Sequence, residues 1–175
     1  MKVIILNLIF LIMAIGLFSC CSTNAPLNVV DKLDVDKYLG TWYEIARLPN
    51  SFEKNLDRVS ATYSLKDNGD IEVLNKGYII GSSEFKDAKG VAWIPDPKES
   101  AKLKVRFFWP FAGKYWVIEL DKDYKYAMVG DPSRDYLWIL AREKSLDESV
   151  YQSLLKSAEE KGFNTKIIIK VNQNF

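Results

Sequence analysis

Between Gly40 and Arg142 the chain falls into short runs of β-branched and aromatic residues, cut by turn-forming residues at intervals of roughly 8–12 residues. The runs predict strands over 41–48, 58–66, 71–80, 85–94, 102–109, 114–121, 124–130 and 135–142. Asp67-Asn68-Gly69-Asp70 marks a hairpin, because Asn-Gly accepts the positive φ of a type I′ turn. Pro95-Asp96-Pro97, Gly113 and Asp131-Pro132 break the other runs. Eight antiparallel strands with no helix between them leave free edges unless the sheet closes on itself. The expected fold is therefore all-β, an eight-stranded antiparallel up-and-down barrel.

Side-chain alternation assigns the two faces of the wall. Along 102–109, Lys102, Lys104 and Arg106 share one face, and Leu103, Val105, Phe107 and Trp109 share the other. The charged face is expected to be solvated, with contact to anionic headgroups as the alternative. Val59, Ala61, Tyr63 and Leu65 fall together on the second strand, and Ala88, Gly90, Ala92 and Ile94 on the fourth. Tyr115 and Val117 are placed inward on the sixth strand, Trp138 and Leu140 on the eighth. A barrel of this size is just wide enough to be filled by side chains or to hold one small ligand. Small inward residues favour a cavity; a barrel filled by its larger side chains is the alternative. The expected pocket residues are Ala61, Tyr63, Ala92, Val105, Phe107, Trp109, Tyr115, Val117, Trp138 and Leu140.

After the strands, Ser145 to Gly162 reads as one helix packed outside the barrel, with Ser145 and Glu148 as a capping box and Gly162 as the stop. Val150, Leu154 and Ala158 form its apolar stripe. Thr165 to Val171 is β-branched and predicts a last short strand. Counting directions from the first strand puts Trp42 and Arg142 at the same end. A guanidinium lying on an indole gains roughly 0.5–2 kcal/mol, so this pair is expected to close that end. The loops 49–57, 81–84, 110–113 and 131–134 fall at the other. Phe52, Leu56, Trp109 and Phe111 lie there, as a lid, as a membrane contact, or covering one another.

The formal net charge of +1 argues against a nucleic-acid partner. Histidine is absent, which excludes a Ser-His-Asp triad, an HExxH zinc site and a His-ligated haem. No dinucleotide fingerprint, P-loop or metal-ligand cluster occurs, so no cofactor, metal or catalytic residue is expected. Glu44 and Glu119 could point inward as acid–base carboxylates; a pairing with a basic group, or simple exposure, is the plainer reading.

The N-terminus differs from the rest. Val3 to Phe18 is apolar except for Asn7 and Gly16, and follows Lys2. The run is short of the ~18–20 residues of a membrane span and reads as a secretory signal over 1–19. Leu17-Phe18-Ser19-Cys20 resembles a bacterial lipobox, which makes Cys20 the expected lipidation site. Residues 20–30 would then be a lipidated tether and 31–175 the domain. Cys20 and Cys21 both precede that domain, which can hold no internal disulfide.

Three short motifs carry a resemblance. Gly40-Thr41-Trp42-Tyr43, after Tyr38-Leu39, resembles the first motif of the lipocalin family. Asp123-Tyr124 with Tyr126-Ala127 is similar to the second, at a shorter tyrosine spacing, and Leu137-Trp138-Ile139-Leu140-Ala141-Arg142 to the third. The runs Gly40 to Lys54 and Gly130 to Arg142 are similar to the bacterial outer-membrane lipocalins and to their animal relative apolipoprotein D. The resemblance implies structural roles for Gly40, Trp42 and Arg142. It also implies a pocket for fatty acids, lysophospholipids or phospholipids, and a lipid-anchored place at the bacterial outer membrane. The oligomeric state is left open, a homodimer included. Two other classes stay open: a structural or interaction lipoprotein, and a lipocalin-fold isomerase or de-epoxidase, which the lack of histidine and of a body cysteine disfavours.

Overall fold

The computed structural model describes residues 25–174. The expected signal segment, Cys20 and the first part of the expected tether lie outside the described residues. Nine strands and two helices are described: α1 (Val35–Tyr38), β1 (Gly40–Arg47), β2 (Leu56–Leu65), β3 (Ile71–Ile79), β4 (Phe85–Trp93), β5 (Lys102–Phe108), β6 (Phe111–Leu120), β7 (Tyr126–Gly130), β8 (Leu137–Ala141), α2 (Glu148–Glu160) and β9 (Ile169–Lys170). Short 3₁₀ turns occupy Pro97–Glu99 and Thr165–Ile167.

Each of β1 to β7 pairs antiparallel with the next strand, and β8 returns to β1, so the sheet closes as an eight-stranded antiparallel barrel. The eight strands stand where the alternation placed them, with shifted ends. The largest shift is at β6, which begins at Phe111 rather than 114. Phe108 pairs with Phe111, which shortens the expected 110–113 loop to a tight hairpin at Trp109-Pro110.

The wall is not uniform. β1 pairs with β2 only through Gly40 to Tyr43. Beyond that β9 takes the place of β2, opposite Ala46 and Arg47. The expected strand over 165–171 is thus a 3₁₀ turn followed by a two-residue strand, laid where β1 and β2 separate. β2 carries a register shift between Asp57 and Ser60, with Arg58 at φ 48°, and this turns its first residues away from β1. The tail stitches the resulting slot. Val171 N–H donates to the Ile45 carbonyl (2.9 Å) and Arg58 N–H to that of Asn172 (2.8 Å). Buried Gln173 donates from Nε2 to the carbonyls of Glu44 (2.7 Å) and Val59 (2.9 Å), one on each strand.

Apolar side chains pack in two layers. Outside, Ile45, Ile118, Met128 and Ile139 meet Tyr151, Leu154 and Ala158 of α2, together with Phe163. Inside, at the closed end, Leu33, Tyr38, Trp42, Ile71, Leu103, Val117 and Val129 form a second cluster. The expected capping box at Ser145 is not formed. Asp147 is the N-cap, accepting from the amides of Ser149 and Val150, and α2 starts at Glu148. A carboxylate one residue before the helix competes better for those amides than a hydroxyl two residues further back.

Residues 25–30, the last part of the expected tether, lie on the barrel. Leu27 is buried in the cluster beneath α2, and Val30 N–H donates to the Val117 carbonyl (3.0 Å). An apolar side chain so close to a hydrophobic seam lowers its free energy by covering it.

Candidate ligand-binding site

The closed end is built first. Gly40 starts β1 at φ +89°, a left-handed conformation suited to glycine, and an added Cβ would meet the Arg142 guanidinium at 3.4 Å. Two residues later Trp42 points inward, fully buried, and donates from Nε1 to the Tyr38 carbonyl (2.8 Å). The Arg142 guanidinium lies over its ring at 3.9 Å. The same guanidinium donates to the carbonyls of Thr41 (2.9 Å) and Lys37 (2.7 Å). One arginine therefore ties α1, the start of β1 and the end of β8 across this end of the barrel.

Above this floor the barrel holds a cavity of about 280 Å³, lined mostly by apolar side chains. Of the expected pocket residues, Ala61, Tyr63, Ala92, Val105, Phe107, Tyr115, Trp138 and Leu140 line it. Val117 does not; it is fully buried in the floor cluster, one inward position below Tyr115. Trp109 does not either. The β5–β6 register shifts between Val105 and Phe108, which breaks the alternation, and Trp109 emerges 82% exposed at the hairpin tip. Phe108 and Phe111 are exposed beside it.

The mouth is partly covered. Phe52 stacks on Tyr136 at 5.8 Å, and Tyr136 stacks on Trp138 at 5.9 Å, giving a row of rings along one rim. Phe52 is thus part of a lid, whereas Leu56 is buried below the surface. Glu53, on the same loop, accepts from Trp138 Nε1 (3.0 Å) and Asn50 Nδ2 (2.5 Å).

Glu44 lines the cavity beneath Glu53 and is buried. Arg47 donates to it at 2.7 Å and to the carbonyls of Glu53 (3.0 Å) and Leu56 (2.9 Å). Burial, and then the neighbouring Glu53 charge, push the Glu44 carboxyl well above the usual carboxylate range, against the opposing pull of Arg47. Glu119, the other candidate inward carboxylate, faces outward. A register shift between Val117 and Glu119 turns it towards α2, where it accepts from Lys161 (2.7 Å) and Ser157 (2.6 Å). Partial burial pushes its carboxyl up, but those two donors hold it below the ordinary value. Glu119 pins the helix to the barrel.

Near the floor, Tyr115 is a hub. Its hydroxyl lies 2.8 Å from that of Tyr38 and 2.8 Å from that of Tyr63. Burial pushes all three phenols up, so they remain protonated. Alternation could find Tyr63 and Tyr115. Tyr38 was invisible to it, since it comes from a one-turn helix that folds under the barrel. Asn75 and Ser60 also line the cavity and were not foreseen.

The lipocalin-like domain family matches residues 33–173 of this chain. The chain is a lipocalin. Among its relatives, outer membrane lipoprotein Blc of Citrobacter freundii is 43% identical over 172 residues, which cover 97% of each chain. Apolipoprotein D of Bos taurus is 40% identical over 126 residues, 67% of this chain and 65% of that one. Insecticyanin from the tobacco hornworm Manduca sexta is a structural neighbour, with a TM-score of 0.66 at 25% identity over 85% of each chain. None of the three is named for an enzymatic activity. A lipocalin whose barrel encloses an apolar cavity fits the binding or transport of small hydrophobic ligands.

Proposed function

We propose that this lipocalin binds, stores or carries acyl lipids at the bacterial outer membrane, to which a lipid on Cys20 anchors it. The candidate ligands are fatty acids, lysophospholipids and phospholipids. The cavity carries this reading: it is closed by the Trp42–Arg142 floor, apolar along its walls and partly lidded by Phe52. Its volume of about 280 Å³ lies just under the ~300–1,000 Å³ of ordinary small-molecule sites, which favours one acyl chain over two. Each methylene that leaves water contributes ~0.8 kcal/mol, and association costs reduce the total. A headgroup would stay at the mouth, among Glu53, Lys114 and Asp131.

A delipidated form lacking residues 1–20 should quench its tryptophan fluorescence on titration with a fluorescent fatty acid, saturating near one ligand per barrel. Failure to bind any acyl lipid rejects the reading. Trp138 lines the cavity and holds the lid loop through Glu53. Trp138→Ala is therefore expected to weaken binding about tenfold, the loss expected of one buried aromatic contact. Unchanged affinity would remove Trp138 from the site.

The anchor rests on the sequence: a signal-like segment ahead of Leu17-Phe18-Ser19-Cys20, and relatives named as outer membrane lipoproteins. A single acyl chain binds membranes only marginally, so a stable tether needs more than one on the cysteine. Expressed in full in a Gram-negative host, Cys20→Ala should move the protein out of the outer-membrane fraction. Retention there would reject Cys20 as the anchor.

A further inference from the structure

The cavity is mostly apolar, and two of its polar features lie deep in it and are not used up by the fold. The first is the tyrosine hub. Each hydroxyl brings one proton and can accept through its oxygen. Three hydroxyls make two oxygen–oxygen contacts, Tyr38 to Tyr115 and Tyr63 to Tyr115. Each contact consumes one proton, so every arrangement leaves one O–H unspent. No other hydrogen bond engages these hydroxyls among the described residues, and all three side chains line the cavity. Burial keeps the phenols neutral, so that proton is present at every ordinary pH.

The second feature is Asn75. Its Oδ1 is buried without a hydrogen-bond partner, and the side chain lines the same cavity. Asn75 lies opposite Ala61, and Tyr63 opposite Val73. Asn75 therefore stands two residues nearer the mouth than Val73, roughly 6.6 Å higher on the wall. A donor near the floor and an acceptor above it are both paid for in desolvation, with no return inside the protein.

We infer that the cavity is adapted to a single-chain lipid carrying a hydroxyl group on its buried portion, with the tyrosine hub as donor and Asn75 Oδ1 as acceptor. This rests on the acyl-lipid reading above and narrows it. A hydroxyl is the smallest neutral oxygen function able to answer either group, since it both accepts and donates. In a purely apolar barrel the same hydroxyl would be a burden, because it would lose water and gain no partner. The two cases therefore predict opposite preferences.

The test is a competition. The full chain, purified from its host membrane and stripped of lipid, is offered equimolar mixtures of a fatty acid and its ω-hydroxy counterpart. Lauric, myristic and palmitic pairs move the hydroxyl along the barrel. Native mass spectrometry counts which acid is bound. At the length that reaches the hub, the hydroxy acid should exceed the plain acid by about threefold to tenfold, the yield of one net hydrogen bond. Tyr63→Phe should keep that preference, because two hydroxyls in one contact still leave a spare proton. The triple variant Tyr38→Phe, Tyr63→Phe, Tyr115→Phe should reverse it at the hub while still binding the plain acid, which also reports that the barrel is intact. If that variant does not fold, the wild-type competition decides alone. A plain-acid excess or parity at every length overturns the inference, as does an unchanged hydroxy preference in a folded triple variant. Binding of the plain acid in those cases leaves the acyl-lipid reading standing. Binding of neither acid removes both.

Discussion

Glu44 is where a single residue says most about the balance inside this barrel. It sits two positions after Trp42 on β1, facing inward and buried, with Arg47 at 2.7 Å and the Glu53 carboxylate nearby. Burial raises its pKa more than the arginine lowers it. A carboxyl whose folded pKa lies above its unfolded value favours folding fully below the unfolded value of ~4.3. That contribution is lost as pH rises through the folded value. Glu44→Gln fixes a neutral group that can still accept from Arg47. Its urea midpoint should therefore fall less than the wild-type midpoint as pH rises above the unfolded value. A steeper fall in the variant, followed by equilibrium unfolding at several pH values, would mean that the Arg47 ion pair outweighs burial. The inward position of Glu44 was legible from alternation, because β1 runs regularly from Trp42. The outward turn of Glu119 and of Trp109 was not. Both lie past register shifts, and these depend on the partner strand rather than on the residue's own neighbours.

At the scale of elements, most of the barrel could be read from local pattern. Hairpin signals such as Asn68-Gly69 and alternation such as Lys102 to Phe107 are short-range, and a barrel of adjacent hairpins is made largely of such pairings. The helix was legible as an amphipathic stripe, but its start was misplaced, since Ser145 and Asp147 are both acceptable caps by type. What seats the helix is less visible. Gly130, at the end of β7, faces the seam between barrel and helix. An added Cβ would come within 2.7 Å of Phe163 Cζ and 3.3 Å of Ile118 Cδ1. Phe163 is buried and cannot swing clear without opening the seam. Gly130→Ala should therefore lower stability by about 1–3 kcal/mol, the usual cost of overpacking. The loss should appear in the unfolding midpoint. A neutral result would show that the ring yields.

Across the whole molecule, closure depends on a contact between the two ends of the domain's sequence. β1 and β2 part company after Tyr43, and the segment from Ile169 to Gln173 fills the gap. No local signal marks this. Ile169 to Val171 reads as β-branched, but which strand it joins is settled only when the barrel is already formed. The same is true of α1, whose Tyr38 reaches the cavity floor from outside the strand pattern. The slot that the tail fills is beside Glu44, so wall integrity and cavity chemistry are linked through Gln173, which holds the Glu44 carbonyl at 2.7 Å and the Val59 carbonyl at 2.9 Å. Deleting residues 171–175 removes these two bonds together with those from Val171 to Ile45 and from Arg58 to Asn172. Buried carbonyls left unpaired cost about 1–3 kcal/mol each, although water entering the slot would recover part of that. The shortened chain should be less stable by roughly 2–5 kcal/mol, a partial sum of those penalties. Its amide exchange should accelerate first at Arg58, whose N–H loses the Asn172 carbonyl, and then along the slot, well before that of β6 and β7. A bound acyl probe should also leave faster, because the slot opens directly beside the pocket. Uniform acceleration through the whole barrel would instead mean that the tail supports global stability and is no separate part of the wall.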